Sequence, residues 1–112
     1  MSAPVLNRPL VLEAPERLAD GAGGFTLTWA ALGTLWAEVV PGSGREAAGV
    51  EVTTAQVPYR ITTRAAPIGS SQRPKAEQRL RDGARIFTIL AVSERDARGQ
   101  YLTCFAREEV SA

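Results

Sequence analysis

The 112-residue chain has no histidine. That removes imidazole acid/base catalysis, Ser-His and Cys-His nucleophile systems, and almost every zinc site. Cysteine occurs once, at Cys104, so an intramolecular disulfide and a multi-cysteine metal centre are both excluded. Lysine is nearly missing: thirteen residues are basic, and only Lys75 is not arginine. No apolar run approaches the ~20 residues that a membrane-spanning helix needs. The stretch MSAPVLNRPL lacks the basic-then-apolar layout of a signal peptide. The expectation is a soluble protein made in a cytoplasm, with no membrane partner.

Phosphate-loop patterns are missing as well. Gly42-Ser43-Gly44 resembles the start of G-x-G-x-x-G, but the third glycine is replaced by Ala47, and no Walker pattern occurs. Carboxylate pairs for acid/base work are not convincing. Glu13 and Glu16 flank Pro15, a turn setting, and Glu108 and Glu109 would point to opposite sides of a strand. Both pairs read as solvated surface. No catalytic residue, cofactor or metal ligand is expected. With a net charge of +1, no strong field favours nucleic acid or a membrane surface.

What is present is a series of short strand-like runs divided by turn signals, in a chain of single-domain size. The fold class expected over residues 1–112 is mainly β: a small antiparallel β-barrel or sandwich with one short inserted helix and long loops. Leu10–Ala14 is the first strand, and DGAGG (residues 20–24) is a flexible turn. FTLTW follows, with Phe25, Leu27 and Trp29 on one face and threonines on the other, the alternation of a strand with one buried face. Residues 34–40 continue as strand after a bulge or kink near AALG. Residues 57–65 alternate again, with Arg60 and Arg64 on the face opposite Tyr59 and Ile61. The loop from Ala66 to Glu77 is long for a compact domain, and loops of that length are often functional. Asp82-Gly83 reads as a type I′ hairpin turn. RIFTILAV, apolar on both faces, reads as the most buried strand. YLTCFARE closes the fold, with Cys104 as a small buried hydrophobe.

One helix is expected, inside the segment 41–56. Ser43-Gly44-Arg45-Glu46 fits a capping box, and Gly49 would weaken or end the helix. Trp29 falls on the apolar face as core, whereas Trp36 lies opposite Leu35 and Ala37 and faces an interface or the barrel's second side. As exposed aromatics, the tryptophans would suit an OB-like module binding single-stranded nucleic acid. Arg73, Lys75, Arg79, Arg81 and Arg85 form a loose basic cluster, read as a solvated or subunit-contact face.

In their order, DGAGGFTLTW, LWAEVVPGSGREA, YRITTR and RLRDGARIFTILAVSERDARGQYLTCFARE resemble the phage head-tail joining family, also called head-closure or stopper proteins, over about residues 8 to 109. Gene transfer agents, phage-like particles built by bacteria, use proteins of the same kind. The resemblance implies a structural protein, not an enzyme: a small β-barrel in a ring of about six or twelve copies. The ring would lie between portal or adaptor proteins on the head side and tail terminator or tail tube proteins on the tail side. It would block the channel until a tail docks, then pass double-stranded DNA without sequence specificity. The location implied is the head-tail interface of a virion or phage-like particle assembled in a bacterial cytoplasm. A tail-completion protein is the near alternative.

The resemblance also assigns parts. The segment 41–56 would reach toward the ring's centre as a gate, with Pro41, Gly42, Ser43, Gly44, Arg45, Glu46 and Gly49 as its working residues. The long loop would contact a partner through Pro67, Gly69, Ser70, Ser71, Arg73 and Lys75, as an extended arm that orders on contact. Arg60 and Arg64 would meet acidic residues of a neighbouring copy.

Overall fold

The Asp20 carboxylate accepts hydrogen bonds from the Ala22 and Gly24 amides at 2.8 and 3.0 Å. This folds DGAGG into a tight reversal, and the strands on either side must then pair with each other. In the computed structural model, which describes residues 3–42 and 56–109, they do so at full length. Six strands form: β1 (Arg8–Ala19), β2 (Phe25–Pro41), β3 (Gln56–Arg64), β4 (Arg79–Asp82), β5 (Arg85–Glu94) and β6 (Tyr101–Glu109). The β1–β2 ladder runs from Ala19 opposite Phe25 to Arg8 opposite Ala37.

The strands close on themselves in the order β1-β2-β3-β6-β5-β4, every neighbour antiparallel. A closed sheet leaves no free edge around the body. Its inward rows are Leu10 and Leu12, Ala37, Ile61, Leu80, Phe87 and Ile89, then Leu102, Cys104 and Ala106, all buried. Burial also pushes the Cys104 thiol up to about 12, so it is a packed hydrophobe and not a thiolate. The barrel and the buried cysteine match the expectation from sequence. The expected helix falls on residues outside the described ones, and no helix occurs among those described.

Several expectations are corrected. The most buried strand is β6, not β5. A register shift between Ile89 and Ala91 leaves both Leu90 and Ala91 outside, opposite the single residue Phe105. The 82–85 hairpin is present, but its two loop residues are Gly83 and Ala84, and only Gly83 has positive φ, at 59°. That is the pattern of a II′ turn, not I′. Phe25 and Leu27 are 68% and 56% exposed, not core. The reason is positional. Only Val11–Glu13 of β1 pairs with β4, and β2 meets β3 only from Ala37 onward. Beyond those points, six residue pairs (Ala14–Ala19 with Phe25–Ala30) continue as a bare two-stranded arm of about 20 Å.

The expected kink near AALG is a β-bulge. Pairing shifts between Leu12/Glu13, so that Gly33 and Ala31 take consecutive partners and Leu32 is extra. A side chain on Gly33 would collide with Gln72, whose Nε2 donates to the Leu32 carbonyl at 2.5 Å. The arm thus departs from the barrel where a distant loop is tied to its base.

Candidate functional site

The barrel has two different ends. At the first, β1, β3 and β5 begin and β2, β4 and β6 finish, and the segment 41–56 leaves from it. Strand alternation puts Arg8, Tyr59, Asp82, Arg85 and Glu108 on the inward rows at this rim, just outside the apolar core. They lock it with ion pairs. Arg8 binds Asp82, and the Arg85 guanidinium grips both Glu108 oxygens at 2.7 and 3.1 Å. Arg85 also lies 5.0 Å from the Phe87 ring centroid, and Tyr59 meets Phe87 edge-on at 5.2 Å. The hydrogen bond from Arg85 holds the Glu108 carboxyl below its ordinary range, more than offsetting partial burial. Glu108 was expected to be solvated surface; the rim recruits it because Arg85 lies on the neighbouring strand.

Pro41 ends β2 opposite Tyr59, and the Gly42 amide donates to the Pro58 carbonyl at 2.9 Å. The ladder therefore carries the chain firmly to the rim. Ser43, Gly44, Arg45, Glu46 and Gly49 lie outside the described residues.

The second end carries the arm and the long loop. The loop is folded back on the barrel by its own bonds. Ser70 N donates to Pro67 O, Arg73 N to Ser70 O, and the Arg73 side chain to Ala66 O at 2.8 Å. Pro74 is buried, the Lys75 amide bonds the Gln78 side chain, and Glu77 N reaches Ile89 O. Pro67, Ile68, Gly69, Ser71 and Lys75 stay exposed. The named loop residues thus sit at the end of the barrel opposite the one where Pro41 and Gly42 leave β2.

Arg60 and Arg64 share the outer face of β3 but serve different grooves. Arg60 lines a shallow one of about 490 Å³ with Glu38, Val40, Arg95 and Phe105. Arg64 lies over the Tyr101 ring and lines another, of about 400 Å³, with Leu6 and Trp36.

Two features escaped the sequence reading. Glu13 is not in a turn; it sits mid-strand, 6% exposed, held by Arg79 at 2.7 Å and Arg81 at 3.1 Å. Burial pushes its carboxyl up, and the two guanidinium groups outweigh this and hold it below the ordinary value. Arg79 also stacks 4.0 Å from the Trp29 ring centroid, so Trp29 is covered from outside the barrel and not packed in its core. Of the basic cluster, expected as a solvated or subunit-contact face, Arg79, Arg81 and Arg85 fasten the barrel's own carboxylates. The second feature is the arm. Its signal was present: once DGAGG is a hairpin turn, β1 and β2 become far longer than the usual strand of 5–6 residues.

Among the described residues no acidic or sulfur cluster could hold a metal, and no helix is long and apolar enough to cross a membrane. The arrangement offers locked rims, an arm and surface grooves.

The phage head completion protein family matches residues 1–109. The chain belongs to that family. Among solved structures it is similar to a chain from the virion of a native gene transfer agent particle, with 63% identity, a TM-score of 0.81, and coverage of 98% of this chain and 100% of the other. It is also similar to protein SF1141 from Shigella flexneri 2a, at 26% identity and a TM-score of 0.69, each chain covered to 96%. The comparison with curated proteins gave no match. As a head completion protein it has a structural role in a phage-type particle, at the head. The family resemblance and the particle location expected from the sequence both hold.

Proposed function

We propose that this head completion protein closes the DNA exit of a phage-like head as a ring of identical copies and presents the surface to which the tail joins. The observation that carries the reading is 63% identity across 98% of the chain to a component of a gene transfer agent virion. The ring lies between portal or adaptor proteins above and tail terminator or tail tube proteins below. The segment 41–56 acts at its centre as the gate, and double-stranded DNA passes without base-specific contacts when the gate opens. The geometry supports this division of labour. Pro41 and Gly42 leave β2 at a rim fastened by Arg8–Asp82 and Arg85–Glu108, which supports the reading by giving a gate there a fixed base. The opposite end offers the arm and the loop 66–77 to neighbours. In this reading Arg60 and Arg64, on the outer face of β3, contact adjoining copies.

Electron microscopy and DNA quantification of particles made without the protein test this. Filled heads are expected to leak DNA or to remain tailless. Intact, tailed, filled particles in its absence would refute the proposal.

A further inference from the structure

Phe25 and Leu27 project from one face of the arm and Leu18 from the other, all more than half exposed. A two-stranded ribbon without a third strand or a covering layer is marginal in water. An arm carrying these side chains therefore needs cover. Elsewhere on β2, Trp36 is 57% exposed and forms an open-sided groove of about 400 Å³ with Leu6, Thr34, Leu35 and Arg64. One copy cannot bring the two together. Leu27 and Trp36 lie on one strand that β1 holds extended throughout, about 30 Å apart at ~3.3 Å per residue.

Charge points the same way. At its tip the arm carries the exposed Asp20, whose carboxyl the Ala22 and Gly24 amides hold below its ordinary value, while Arg17 lies beside Leu27 and Glu16 on the opposite face. At the groove, Arg64 touches the Tyr101 ring and no carboxylate among the described residues.

We propose that the arm of one copy seats Phe25 and Leu27 in the Leu6–Leu35–Trp36 groove of the next copy, with its acidic tip toward that copy's Arg64. The inference rests on the ring reading above and names the contact that builds the ring. Arm and groove are different surfaces, so the contact is head-to-tail and repeats until the rotation closes.

The test is site-directed cross-linking in assembled particles. A chain carrying both Leu27→Cys and Trp36→Cys is treated with a short bis-maleimide. Cys104 is fully buried, with its thiol pushed up to about 12, so it stays silent. A ladder of linked copies extending beyond the dimer is expected, and neither single substitution should give it. A dimer from Leu27→Cys alone, linkage only to a different protein, or no linkage in particles that contain the protein at the normal level would each overturn the proposal. As a second variant, Phe25→Asp with Leu27→Asp should lower incorporation into particles at least tenfold while the purified chain keeps its unfolding midpoint. Normal incorporation of that variant overturns the arm contact. Heads that contain the protein and hold their DNA, yet yield no ladder, overturn the arm contact and leave head closure standing. Absence of the protein from normal particles overturns both.

Discussion

Between Val11 and Glu13, β1 has a strand on each side, and Leu12 there and Leu10 just before it are fully buried. Between Ala14 and Ala19 it has one neighbour, and every residue from Pro15 onward is exposed. The chain conformation barely changes across that boundary. What changes is whether the sheet is closed. In the barrel, an apolar side chain facing inward meets the far wall and contributes about 1.5–3 kcal/mol of burial. In the arm, the same alternation points into solvent on both sides. An apolar row in the arm contributes little to folding and is free to serve association, which is why equally hydrophobic strands have different work here.

Substitutions along the two regions measure that difference. The largest effect is expected at the centre of the barrel. Phe87→Ala should cost about 3–5 kcal/mol in urea unfolding, whereas Phe25→Ala should stay within about 0.5 kcal/mol. Similar costs at both positions would show that the arm has a core of its own.

The junction comes next. Glu13→Gln leaves Arg79 and Arg81 without their shared carboxylate and should cost about 2 kcal/mol, below the full cost of a broken buried pair because Arg81 reaches solvent. It should also change the acid limb. The carboxyls of Glu13 and Glu108 lie below their ordinary value of 4.5 in the folded protein. Their contribution is complete above that value and is lost as pH falls through the lower folded value. Stability against pH should therefore drop on the acid side, and Glu13→Gln should flatten the drop. An unchanged acid limb would show that Glu13 is not linked to folding.

A smaller effect is expected at the bulge. Gly33→Ala forces Gln72 off the Leu32 carbonyl and also puts a side chain at φ 154°, where L residues are strained, and should cost about 1–2 kcal/mol. In a Gln72→Ala background the added cost should shrink, and a double-mutant cycle reads the coupling. The smallest effect belongs to the stack that braces the arm's base. Arg79→Lys keeps a charge near Glu13 but loses the planar contact with Trp29, for about 0.5–1 kcal/mol and a shift in tryptophan emission. No emission change would mean that Trp29 is not held by Arg79.

The all-β class, antiparallel pairing, the DGAGG reversal, the 82–85 hairpin and the buried cysteine were all legible in the sequence. Each is a local consequence of alternation and turn chemistry. The family was legible for a related reason, because its segments keep their order along the chain. The inward face of a strand was less secure. FTLTW and RIFTILAV both look like core, but alternation says only that two faces differ, not that a second layer lies over either one.

By itself the sequence determined an all-β chain without histidine chemistry or disulfides, and the places where its strands turn. Tertiary structure decided which stretch of β2 faces a wall and which faces water. It also brought Glu13 between Arg79 and Arg81 across 66 and 68 residues of chain, and set the loop 66–77 at the end opposite the exit of β2 at Pro41. The physical reason is that alternation is a property of one strand, whereas burial and ion pairing depend on what closes around it. Closure here rests on three residues of β1 meeting β4, a contact that no local pattern encodes.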